Sequence, residues 1–279
     1  MTKIIVVASA LALACSVGPT LAADLPSTKS APAFAPPLAP PPIWTGFYVG
    51  LNAGYTWSNS DSVAQSYWDT DAAGLGANAL IGNFPSAINA SVDGFIGGGQ
   101  IGYNAQVSDK FLWGLEADIQ GLASSGGSAT SIGPAAYTTL SRGIDYIGTA
   151  RGRLGYLITP TLLAYATGGL AYGQTNLTAS YFGAPAITAA DTYSDLRIGY
   201  ALGGGLEWLF LPGWSAKVEY LYYDLGTAST PGAAYAYTSA LGAQISGAQS
   251  TTRFDGHIAR AGLNYHFDWF KPAPIVAKF

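Results

Sequence analysis

The stretch Phe254–Phe267, F-D-G-H-I-A-R-A-G-L-N-Y-H-F, alternates without a break from Ala259 onward. Ala259, Ala261, Leu263, Tyr265 and Phe267 fall on one side, and Arg260, Gly262, Asn264 and His266 on the other. Side chains along a strand change face at every residue. One face is therefore apolar and ends in two aromatics; the other is polar and carries a cation. A half-buried soluble strand reads this way, and so does a lipid-facing strand with a polar interior behind it.

Working outward, seven more segments show the same alternation. They are Gly46–Trp57, Gly94–Ala105, Phe111–Gln120, Ile144–Tyr156, Thr161–Tyr172, Leu196–Phe210 and Trp214–Tyr223. In the first, Phe47, Val49, Leu51, Ala53, Tyr55 and Trp57 oppose Tyr48, Gly50, Asn52, Gly54 and Thr56. Thr161–Tyr172 is the softest pattern, because both of its faces are fairly apolar and Tyr165 falls on the more polar one. Each segment has about 10 residues or more, enough to cross a bilayer at a tilt.

The connections alternate in length. Tight turns fall near 107–110, 158–160 and 211–213, and long Ala-, Gly-, Ser- and Thr-rich links span 58–93, 121–143, 173–195 and 224–253. This predicts an all-β fold, an eight-stranded antiparallel up-and-down transmembrane β-barrel with four long extracellular loops and three short periplasmic turns. Trp44, Phe111, Trp113, Trp208, Trp214 and Phe267 fall near the short-turn ends and are expected to form an aromatic girdle.

Composition separates this from a soluble lipocalin-like barrel. Of the 279 residues only 10% are charged, with 36 Gly and 18 Tyr, where a soluble domain carries about 25% charge. That is too little charge to coat a water-facing surface and enough to fill a narrow interior. The formal net charge of −4 and the lack of a basic patch argue against a nucleic-acid partner.

The N-terminus reads as an address. Lys3, the apolar run Ile4–Val17 and the small residues Thr20 and Ala22 make a secretory signal peptide over 1–22, with cleavage after Ala23 as the alternative. The single Cys15 lies inside it. Residues 23–43 hold seven prolines and read as a Pro-rich periplasmic spacer of up to ~60 Å at about 3.1 Å per residue. The barrel then occupies 44–267, and 268–279 form a C-terminal periplasmic tail.

If apolar faces point outward, Glu116, Asp118, Arg151, Arg153, Arg197, Glu207, Lys217, Glu219 and Arg260 point inward. All but Arg197 lie near the short-turn ends and should share one layer. Glu207 and Lys217 are equidistant from Pro212, which favours a cross-strand pair, and Arg260 should neighbour Glu219 or Lys217. An eight-strand interior is just wide enough for side chains to fill, so opposite charges should pair and close the lumen. The alternative is a narrow ion path through the same charges. No catalytic set, metal spacing or cofactor motif emerges: His257 and His266 both lie on the last strand, with no serine placed beside them by the sequence.

Several stretches resemble one family. These are Ala23-Asp24-Leu25-Pro26, Trp44 to Tyr55 (W-T-G-F-Y-V-G-L-N-A-G-Y) and Arg260 to Phe267. Together they are similar to the small "porin family" outer-membrane barrels of alphaproteobacteria, the Brucella and rhizobial surface-antigen class, akin to the OmpA transmembrane domain. The resemblance implies a structural surface antigen of the Gram-negative outer membrane rather than an enzyme, among outer-membrane lipid and lipopolysaccharide. It also implies attachment to peptidoglycan at Ala23, followed by Asp24. Arg260, Gly262, Tyr265 and Phe267 resemble the last-strand signal read by the outer-membrane assembly machinery. The other functions left open are a narrow channel for small solutes and an adhesin acting through the first and fourth loops.

Overall fold

The computed structural model describes residues 43–70, 84–123, 126–134, 136–183, 187–239 and 242–267. The expected signal peptide, the expected spacer up to residue 42 with the candidate attachment residues Ala23 and Asp24, and residues 268–279 lie outside the described residues.

Among the described residues twelve strands follow in chain order: β1 (Gly46–Ser58), β2 (Ser62–Asp69), β3 (Ala87–Asn89), β4 (Gly94–Gln106), β5 (Phe111–Ala123), β6 (Gly127–Ile132), β7 (Ala136–Thr159), β8 (Leu162–Gly183), β9 (Ile187–Leu211), β10 (Trp214–Ser229), β11 (Ala233–Ser239) and β12 (Gly242–His266). Eight of them, β1-β4-β5-β7-β8-β9-β10-β12, pair antiparallel with their neighbours, and β12 pairs back onto β1. The ring is closed, so these strands leave no free edge over that stretch. The opening sequence Phe254–Phe267 lies at the closing seam: Leu263 faces Leu51 of β1 on one side and Ala216 of β10 on the other.

The eight alternating segments coincide with the lower part of this ring. The tight connections are turns: Val107 N donates to Phe111 O at 2.9 Å, Leu162 N donates to Thr159 Oγ1 at 3.0 Å, and Gly213 takes a positive φ of 78°. The long links are different from expectation. Much of 121–143, 173–195 and 224–253 continues as strand, and 58–93 contributes β2 and β3. The reason is visible on β8. Above Tyr172 its outward residues are Gln174, Asn176, Thr178 and Ser180 and its inward ones Thr175, Leu177, Ala179 and Tyr181. Both faces are built of small or mixed residues, so the contrast that marks a strand in sequence fades although the ladder continues to Gly183 opposite Ile187.

The ring therefore has two regions of opposite polarity. In the lower one Leu154, Leu170, Ile198 and Leu206 face outward and are exposed, while charged residues are buried inside. In the upper one the polar side chains face outward and an apolar core lies inside. There β6-β7-β8-β9 and β11-β12-β2-β3 pack Val63, Phe84, Ile88, Leu140, Leu177 and Tyr181. The strands pass through this change of polarity largely unbroken. A bulge at Asp145 re-phases β7, and another after Asp224, where Gly226 has φ 80°, re-phases β10.

Candidate functional site: the sealed interior

The interior is stacked in layers, which the inward residues of β8 trace in order. Leu163 belongs to an apolar floor with Trp44, Leu112, Leu157 and Tyr165. Tyr165 also borders a layer of charges through its hydroxyl. Ala171 joins a middle apolar layer with Ile96, Ile147, Leu221, Phe254 and Ile258. Leu177, Ala179 and Tyr181 belong to the upper core.

In the charge layer, four carboxylates meet four cations. Glu116 and Asp118 come from β5, Arg151 and Arg153 from β7, Glu207 from β9, Lys217 and Glu219 from β10, and Arg260 from β12. None is more than 4% exposed. Arg151 lies at the centre, at 2.7 Å from Glu116, 2.8 Å from Asp118 and 3.0 Å from Glu219. Arg260 reaches Asp118 at 2.9 Å, and its Nε donates to Glu219 at 2.7 Å. Lys217 Nζ donates to both oxygens of Glu116 at 2.8 Å. Arg153 holds Glu207 at 2.5 Å and lies 4.2 Å over the Tyr165 ring. Taking a charge out of water costs several kcal/mol per ion even after relaxation; here each is offset by an opposite charge and directed hydrogen bonds.

One expectation is corrected by these contacts. Glu207 and Lys217 do face each other in register, but their charges go elsewhere, to Arg153 and to Glu116. A direct pair is displaced because every cation in so narrow an interior can reach across it. Arg197 stands apart. It is half-buried above the layer, where Nε and Nη2 donate to the carbonyls of Leu225 and Thr227 and Nη1 to the Tyr193 hydroxyl. There it bridges β9 to the bulged part of β10, beyond their last ladder pair, Tyr200 with Asp224.

Neutral groups complete the layer, and the sequence pointed to them only weakly. Tyr48 donates to Glu116 at 2.7 Å, Tyr165 to Glu219 at 3.1 Å, and Thr149 to Asp118 at 2.8 Å. Tyrosines on the polar face of an alternating strand were the available signal. At the floor, Ser215 Oγ and Asn264 Nδ2 donate to Glu207 at 2.6 and 2.8 Å. Ser215 Oγ also lies 2.9 Å from His266 Nε2, a neighbour the sequence did not place. Glu207 approaches that same nitrogen at 3.4 Å. A nucleophile–base–acid relay needs serine and acid on opposite nitrogens of the imidazole, so this trio reads as packing.

Trp44 also departs from expectation. It is fully buried rather than outward, its indole donates to Pro160 O at 2.9 Å, and it meets His266 edge-on at 5.8 Å. It precedes β1, so no alternation assigned its face, and it folds under the ring as part of the floor. Phe111, Trp113, Trp208 and Trp214 are exposed on the outside, and Phe267 is half-buried. Of the last-strand residues, Arg260 is buried in the charge layer and Gly262 lies beside Lys217, whereas Tyr265 is exposed and packs edge-on against Phe267 at 5.2 Å. Among the described residues no group of three or more His, Cys, Asp or Glu could hold a metal ion.

Known proteins identify the family. The family model "Outer membrane protein beta-barrel domain" matches residues 27–267. The 31 kDa outer-membrane immunogenic protein of Brucella melitensis biotype 1 is 33% identical over 249 residues, 88% of this chain and 93% of that one. A 22 kDa outer membrane protein of Rhizobium leguminosarum bv. viciae is 28% identical over 193 residues, 67% of each chain. The solved Neisserial surface protein A overlays at 14% identity, covering 80% of this chain and 98% of that one, with a TM-score of 0.38. A closed ring with an apolar outside and paired charges within is what a protein facing lipid requires, and with these matches the chain belongs to the outer-membrane β-barrel domain family of Gram-negative bacteria.

Proposed function

We propose that this chain is a structural outer-membrane barrel and surface antigen that supports envelope integrity and does not conduct. Its eight ring strands span the bilayer, the turns face the periplasm and the upper region stands outside the cell. The carrying observation is the filled interior: an apolar floor, a neutral layer of four ion pairs' worth of charge, and two apolar layers above it. Such an interior offers a permeant ion no hydrated route. Planar-bilayer recording on refolded protein should give no stable open state; a reproducible open level would overturn the reading.

A narrow channel is the second reading, and one observation favours it. The buried atoms Asn52 Oδ1, Gln120 Oε1 and Arg260 Nη1 have no hydrogen-bond partner among the described residues, and such groups are usually satisfied by water. The same recording decides between the two. Two attachments belong to the proposal as well: peptidoglycan through Ala23-Asp24, and the assembly machinery through Tyr265 and Phe267. A muropeptide on Ala23 in digested sacculi would support the first. Slower assembly of Phe267→Ala than of Phe279→Ala would support the second, and the reverse order would move that signal into the tail.

A further inference from the structure

The outer wall of the ring is not uniform. Most outward positions in the lower region carry large side chains, but several cross-strand rows do not, and one of these lies at the closing seam. Gly97, Ala53 and Ala261 stand side by side on β4, β1 and β12, followed by Val218 on β10. A Cβ added at Gly97 would find its nearest neighbour only at 3.8 Å. The small residues leave a groove of about 910 Å³ on the outside, lined by Ala53, Ala259 and Ala261 and flanked by Tyr55, Phe95 and Tyr220. The groove belongs to the same surface that meets the membrane, so an acyl chain is the natural filling, and burying apolar area there costs no polar desolvation.

Its upper end is not apolar. One step above Ala259, on the same face of β12, His257 is held between the rings of Trp57 and Tyr220 at 5.6 and 5.7 Å. Its Nδ1 is 2.8 Å from the Tyr220 hydroxyl, and Nε2 has no partner among the described residues. Four residues further up stands Arg253, with its side chain 53% exposed. Asp224 engages its Nε and Nη2, and Nη1 has no hydrogen bond among the described residues. The nearby Asp255 is buried; its Oδ2 is bonded to Asn59 and Tyr222, and its Oδ1 has no partner among the described residues. Four strand residues separate the two donors by about 13 Å. One small phosphodiester headgroup does not span that distance; a phosphorylated sugar headgroup does.

We propose that this wall holds one lipopolysaccharide molecule, an acyl chain lying in the groove and the phosphorylated sugar headgroup resting on His257 and Arg253. The inference rests on the orientation given above, with the upper region outside the cell.

The test is native mass spectrometry of the full, signal-processed protein, offered purified lipopolysaccharide, its dephosphorylated form, or phosphatidylethanolamine. Wild type should retain one lipopolysaccharide. Ala261→Phe fills the groove from the outside and should reduce retention about tenfold, whereas Ala150→Phe, outward on β7 and away from the groove, should not. Arg253→Gln should reduce retention of the phosphorylated form about tenfold, the loss expected for one charge-assisted hydrogen bond, and leave the dephosphorylated form unchanged. Circular dichroism on each variant shows whether the ring has formed, and Ala53→Leu serves as a milder filling if Ala261→Phe does not fold. Equal retention in Ala261→Phe and Ala150→Phe, or equal retention of phosphatidylethanolamine, would overturn the site. Labelling of Thr130→Cys from outside intact cells separates the two levels. Labelling with loss of the site leaves the orientation standing, and labelling only after lysis overturns the orientation and the inference together.

Discussion

The lower and upper regions are made by the same strands and solve opposite problems. Below Tyr172, β8 presents Ala166 and Leu170 outward and Thr167 to the charge layer; above it, the outward side turns to Gln174, Asn176 and Thr178 and the inward side to Leu177 and Ala179. No break in the strand marks the change. The backbone ladder is indifferent to what surrounds it, and only the side chains register whether the outside is hydrocarbon or water. The lower region has an inverted core of ion pairs because its outside is already apolar. The upper region has a conventional apolar core because its outside is wet.

The comparison breaks most readily at the charge layer. Arg151→Ala removes the cation shared by Glu116, Asp118 and Glu219 and leaves buried charge uncompensated, which should cost about 3–5 kcal/mol of ring stability. Urea unfolding in lipid vesicles reads this, and a loss under about 1 kcal/mol would mean that water already reaches the layer. In the upper core, Leu140→Ala should cost roughly 3 kcal/mol, felt only there. Limited proteolysis should then cut the upper hairpins while the ring stays intact, and simultaneous loss of both would show that the regions fold as one unit. The outward column of β8 separates the solvents directly. Leu170→Arg should cost about 1 kcal/mol, since it lies close to the interface, and Asn176→Arg, six residues further along, should stay within about 0.5 kcal/mol.

What the sequence revealed follows the same division. Wherever lipid lies outside, one face must be apolar, and the alternation of Gly46–Trp57 or Trp214–Tyr223 matched β1 and β10 at their lower ends. Wherever water lies outside and small residues fill the inside, as in Gly173–Tyr181, the contrast falls and strand reads as loop. The charged residues could be assigned to the inner face by alternation alone. Their partners could not, because Lys217 with Glu116, or Arg260 with Asp118, are contacts across the ring that no neighbouring-strand rule contains. Arg197 shared the face and missed the layer because it stands where β9 and β10 part. Trp44 escaped because it lies before the first alternating residue.

Cysteine scanning along the outward residues of β8, from Leu162 to Phe182, tests the two-region structure most directly; Cys15, in the expected signal peptide, is the chain's one cysteine. With protein in vesicles and a water-soluble maleimide, positions through Tyr172 should be protected and those from Gln174 onward should react. Uniform reactivity along the strand, or protection that continues past Gln174, would contradict it.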